Sequence, residues 1–153
     1  MNRVGSLQVP NFSPAQNLEE YVSFYSIKDW DELFENSESR KYKNLKWVPV
    51  PNKHDGKTFS RLRALENRVE IFAAWVLILE VASKMPIRGV LVDSDLEPLT
   101  PEDLGVMTGF PSSIFEQALK TLILPKFGWI VESSENPADA SEIPPLNLSL
   151  IHI

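Results

Sequence analysis

Two groups of residues in this chain have the types and spacing to bind a polyanion. The first is Lys53, Lys57, Arg61 and Arg63, inside KWVPVPNKHDGKTFSRLR (46–63), where Trp47 and Phe59 stand among the cations. Basic residues interleaved with aromatics suit stacking on single strands or clamping a phosphate. We read the four cations as facing an anion, and Trp47 as a cover for the core. The second group is Ser112, Ser113, Gln117 and Lys120, at and after the start of a short amphipathic segment. Serine and glutamine can pair with base edges, and the intervening Glu116 can accept from cytosine. Catalytic chemistry has no comparable case. His54 and Asp55 sit together in a polar turn, but one histidine there makes neither a metal site nor an acid–base pair. The chain has no cysteine, glycine-rich phosphate loop or GxSxG elbow, and its carboxylates are scattered. We therefore expect no enzyme, no cofactor and no metal.

Charge separates the two groups. Residues 40–68 hold nine basic side chains and two acidic ones, a net +7, so the remainder carries −13 within a total of −6. Such a split suggests a basic surface facing a polyanion, or a basic arm folded on an acidic face of the same protein. The overall negative charge argues against indiscriminate nucleic-acid binding. The start of the chain shows no signal peptide, and the longest apolar run, 71–79, is too short to span a bilayer. With the absence of cysteine, this fits a cytoplasmic protein with no membrane partner.

The elements that must position these residues follow from periodicity and breakers. YVSFYSI (21–27) alternates like a strand. Asp29, with Glu32 three positions later, has the pattern of a capping box opening a short helix to about Asn36. Leu45 to Val50 is a candidate edge strand, limited by Pro49 and Pro51. One long helix is expected over about Arg61–Lys84, with apolar stripes Leu65/Val69/Phe72/Val76/Leu79 and Ile71/Trp75/Ile78/Ala82 marking it as central to the core. GVLVD (89–93) reads as a short buried strand.

Thr100 then has the features of an N-cap, with Pro101 at the first helical position and Glu102 and Asp103 behind it. Gly109 closes that helix in a left-handed cap. Pro111 and Ser112 open the next, with Ile114, Phe115, Ala118, Leu119 and Leu122 as its apolar face. FGWIV (127–131) is a closing strand. Leu104, Gly105, Gly109, Phe110 and Phe115 fill the anchor, small-residue and turn roles of a helix-turn-helix. An ordinary helical hairpin is the alternative, and the flanking strands favour a winged helix. Trp30, Trp75 and Trp129 are expected in the core.

WVPVPNKHDG (47–56) and FAAWVLILEVASKMPIRGVL (72–91), with YVSFYSIKDW, PEDLGVMTGFP and the Gly128–Trp129 pair, resemble a family of phage and prophage winged-helix proteins. The likeness covers roughly 20–132 and is similar in architecture to the DnaD-like replisome-organiser N-terminal domains. It implies a winged helix acting in DNA replication and carries over no catalytic or contact residue.

The expected fold is α+β, mainly α: a winged helix-turn-helix at 61–132 behind a small β-containing N-terminal extension at 18–60. Residues 1–17 are expected to be irregular and 133–147 a linker. The last six, LSLIHI, match what a common sequencing adaptor encodes in one frame; we read them as read-through from a longer natural protein. The expected function is DNA binding, in phage or prophage replication, with double-stranded DNA as partner. The alternative is an assembly module that self-associates or meets replication proteins without touching DNA.

Overall fold

The computed structural model describes residues 22–137; the expectations for 1–17, for most of 133–147 and for 148–153 lie outside them. The described chain is mainly helical with a small antiparallel sheet. Its elements are β1 (Phe24–Ile27), α1 (Trp30–Leu33), a 3₁₀ turn (Ser39–Lys41), α2 (Lys57–Arg63), α3 (Arg68–Ala82), α4 (Pro101–Thr108), α5 (Ser112–Leu122) and β2 (Ile130–Ser133).

The sheet joins the two ends of the described chain. β1 and β2 pair from Phe24 opposite Ser133 to Ile27 opposite Ile130. On the other edge of β1, Leu91 N–H donates to the Tyr25 carbonyl at 2.9 Å, and Ile27 N–H donates to that of Gly89 at 2.8 Å. The expected 89–93 strand is therefore reduced to single bridges, Ser26 to Val90 and Val92 to Pro98, although Leu91 and Val92 are fully buried as a core strand would be. The closing strand starts later than expected. Phe127 and Gly128 belong to the turn that leaves α5, where Gly128 N–H donates to the Leu124 carbonyl at 2.8 Å.

The expected long helix over 61–84 is two helices. The first starts earlier, after Gly56, and closes with a 3₁₀ bond from Leu65 N–H to the Leu62 carbonyl at 3.0 Å. The second starts at Arg68. Asn67 lies between them and donates its side-chain amide to Gln117 at 2.8 Å, anchoring the break to α5. The break resets the phase of the apolar stripes. Ile71, Trp75, Ile78, Leu79 and Ala82 are buried as expected, but Val69 faces outwards.

α1 also departs from expectation. Asp29 makes no side-chain cap; it takes a left-handed backbone (φ 55°), which aspartate tolerates better than most residues. This sharp turn drives Trp30 inward, stacked 5.1 Å from Phe34 and against the backbone of Gly89. A Cβ at Gly89 would lie 2.5 Å from Trp30 Cγ, so only glycine fits there. Phe34 meets Trp75 edge-on, and Trp75 lies 5.1 Å from the half-buried Trp129. Trp30, Phe34 and Leu62 therefore share one core with α3 and α5.

Two further expectations fail. The segment 45–50 forms no strand, since Pro49 and Pro51 have no N–H to donate. Trp47 covers nothing: it is 86% exposed.

Candidate nucleic-acid interface

The pair α4–α5 is built as the sequence implies. Thr100 accepts from Asp103 N–H at 3.1 Å while the Asp103 carboxylate accepts from Thr100 N–H at 2.9 Å, a closed capping box. Gly109 takes the left-handed conformation (φ 80°) and returns its N–H to the Gly105 carbonyl at 2.8 Å. Gly105 lies where the chain crosses back: a Cβ there would sit 3.0 Å from the Phe110 carbonyl oxygen and 3.4 Å from Ser112 N. Leu104, Ile114, Phe115, Ala118, Leu119 and Leu122 are all buried. Phe110, expected as an anchor, is instead half exposed, because the left-handed cap turns it out of the core.

The outer face of α5 carries Ser113, Glu116, Gln117 and Lys120 at the i, i+3, i+4, i+7 spacing of a single stripe. Ser113, Glu116 and Lys120 are exposed, and Ser112 is half buried. Gln117 is half buried, with its carbonyl oxygen taken by Asn67. Lys120 is the single cation of the stripe.

The first basic group lies elsewhere. Lys53 and Lys57 line a groove of about 440 Å³ together with Lys28, Phe59, Trp75 and Trp129. Arg61 extends towards the turn after α5 and donates to the Lys126 carbonyl at 2.7 Å. The Lys126 ammonium is 5.9 Å from the ring of Phe127, another wall of the groove. Asp29 is the one acid in the lining. Arg63 turns away: it donates to the His54 carbonyl at 3.3 Å and to Ser60 Oγ at 3.2 Å, and lies 6.0 Å over the Phe59 ring. It ties α2 to the turn before it.

The structure therefore gathers Lys53, Lys57 and Arg61 near the C-terminal end of α5, with Ser112 and Ser113 at its start. With 11 residues, α5 is roughly 16 Å long at 1.5 Å per residue. The two serines and the basic group lie at opposite ends of one helix, with Lys120 in its last turn. Lys28 joins the basic groove with no sequence signal, since only folding brings the end of β1 and the α5 exit together.

No protein-family model, curated protein or solved structure matches this chain.

One further constellation frames the basic arm. Arg88 grips Glu35 with two parallel bonds of 2.8 Å, and Glu35 also accepts from Trp30 Nε1 at 2.8 Å and Ser39 Oγ at 3.0 Å. The Glu35 side chain is 2% exposed. Burial alone would raise its carboxyl pKa, but the bonds from Trp30, Ser39 and Arg88, with the charge of Arg88, hold it below its ordinary 4.5. The rest of the Arg88 guanidinium reaches back to the chain, donating to the carbonyls of Tyr42 at 2.7 Å and Ser39 at 3.2 Å. Among the described residues no group of three or more acidic, histidine or cysteine side chains is placed to hold a metal ion, and no helix is long and apolar enough to cross a membrane.

Proposed function

We propose that this chain is a winged-helix DNA-binding protein, acting in phage or prophage replication as the resemblance implies. The observation that supports it is the α4–α5 unit. Gly105 brings the two helices into close crossing, and α5 presents an exposed polar stripe beginning at its first turn, the end that enters a major groove in helix-turn-helix proteins. Base-edge contacts fall to Ser112, Ser113 and Gln117. Phosphate contacts fall to Lys120 at the helix and to Lys53, Lys57 and Arg61 at its far end. The strand that follows α5 in such a fold is present as β2, paired with β1; the described residues hold no second strand after it.

Duplex binding measured across salt concentrations tests this reading. Affinity through phosphates falls with a log–log slope of about −0.9 per contact. A duplex bound at low salt with such a slope is the expected result, and no binding at low salt defeats the reading.

A second reading is favoured by a different surface. Val106 is 85% exposed, with Met107 and Phe110 also open beside it. These suit a protein partner more than a phosphate backbone, and the winged helix would then serve self-association or a contact with replication proteins. A dimer in light scattering, without duplex binding, is the outcome that selects it.

A further inference from the structure

Trp47 is the most exposed large apolar side chain among the described residues, and folding does nothing to hide it. It stands beside a groove of about 490 Å³ that it shares with Tyr42, Asn44 and Lys46. Tyr42 is also open, so two aromatic faces border one space. The Asn44 side chain makes no hydrogen bond, and Lys43 and Lys46 make no ion pair, among the described residues. Glu38, the acid in the lining, is paired with Lys41 at 3.3 Å. The Pro49–Val50–Pro51 run, with its fixed backbone angles, follows at once.

The Tyr42 side of this platform is held in place. The buried Arg88–Glu35 pair fastens the carbonyls of Ser39 and Tyr42, the latter belonging to one of the two aromatics. A side chain left open on a fixed backbone gives a binding surface whose ordering cost falls at folding and not at binding.

We infer that the Tyr42–Trp47 groove binds an unpaired nucleobase of single-stranded nucleic acid. One or both aromatic rings stack on the base, the Asn44 amide faces its edge, and Lys43 and Lys46 face the flanking phosphates. A base within a duplex has both faces covered by its neighbours, so this chemistry selects single strands. The residues involved are distinct from those of α5 and from the Lys53–Lys57 groove, and the inference stands whether or not α5 reads DNA. Stacking does not read the 2′-hydroxyl, so oligo-dT and oligo-U are both expected ligands.

The test is fluorescence anisotropy of the full chain with labelled short oligo-dT, oligo-U and a mixed-sequence duplex at about 50 mM salt, below the range where phosphate contacts are lost. Trp47→Ala is expected to weaken oligo-dT roughly tenfold, with Trp47→Phe recovering most of it, because one base stacked on an aromatic side chain is lost. Lys46→Ala is expected to flatten the single-strand salt slope by about 0.7. Duplex affinity is expected to be unchanged by Trp47→Ala. The 86% exposure of Trp47 means its removal leaves the core intact. Absence of oligo-dT binding, indifference to Trp47→Ala, or an equal loss for duplex and single strand each overturns the site. Competition by polyglutamate with the same dependence on Trp47 also overturns it, in favour of an acidic protein chain. Duplex binding without oligo-dT binding defeats this inference alone; the reverse defeats the α5 reading alone.

Discussion

Between Thr100 and Ser112 the backbone is fixed by neighbours: Thr100 with Asp103, Gly109 with Gly105, Thr108 with Leu104, and Gly105 against Phe110. Between Ser39 and Tyr42 the turn is also closed locally, by Ser39 N–H on Asn36 and Tyr42 N–H on the Ser39 carbonyl, but it is fastened to the rest of the molecule by Arg88, 46 residues beyond Tyr42 and 49 beyond Ser39. The first region is a local device that any fold could carry. The attachment of the second exists only once α1, the 3₁₀ turn and the segment that carries Arg88 have met. The difference teaches where each region is vulnerable. The helix pair should fail by small steps, one cap or turn residue at a time. The aromatic arm should fail at one point, its buried ion pair.

The largest effect is therefore expected from Arg88→Ala. It leaves the Glu35 carboxylate, 2% exposed, without its cation, at a cost of about 3 kcal/mol in urea unfolding. The comparison fails if this loss is no larger than that of a surface substitution. The same pair sets a pH dependence. Because the folded pKa of Glu35 lies below its ordinary 4.5, its contribution is fully present above that value. It is lost as pH falls through the lowered folded value. A pH series of unfolding curves should show wild type losing stability in that acid range and Glu35→Gln losing less.

Gly105→Val comes next, at about 2 kcal/mol, because its Cβ meets backbone that cannot step aside and the further methyls crowd more. Gly109→Ala is expected to cost about 1 kcal/mol. Nothing lies within 4 Å of its Cβ, so the cost there is backbone strain alone. Finding the two costs reversed would show that crossing distance does not set the helix pair. Thr100→Ala should cost about 1 kcal/mol through the lost cap. The smallest stability effect, within about 0.5 kcal/mol, is expected for the double change Lys53→Ala, Lys57→Ala. Its signature would be a duplex salt slope reduced by about 0.9 for each lysine that faces a phosphate.

The helix pair was legible because its signals are short-range. Thr100, Asp103, Gly105, Gly109 and Pro111 each act within a few residues, and the apolar set Ile114, Phe115, Ala118, Leu119 and Leu122 is buried as its spacing implied. The helix broken at 64–67 was not legible, because Asn67 is anchored to Gln117, 50 residues away. Nor was the left-handed turn at Asp29, which burial of Trp30 against Gly89 dictates. For the candidate sites, composition located the basic segment but not its partition. Arg63 is taken up by the turn before its own helix, and Lys28 joins Lys53 and Lys57 through the fold.

By itself, then, the sequence determined the α4–α5 unit and the charge asymmetry, because caps, turn glycines and helical periodicity are properties of neighbouring residues. The tertiary structure decided which basic side chains share a groove and that Trp47 stays outside. Those outcomes depend on which distant surfaces meet, and in this chain the meeting is set by β1 pairing with β2 and by Arg88 closing on a carboxylate 53 residues before it.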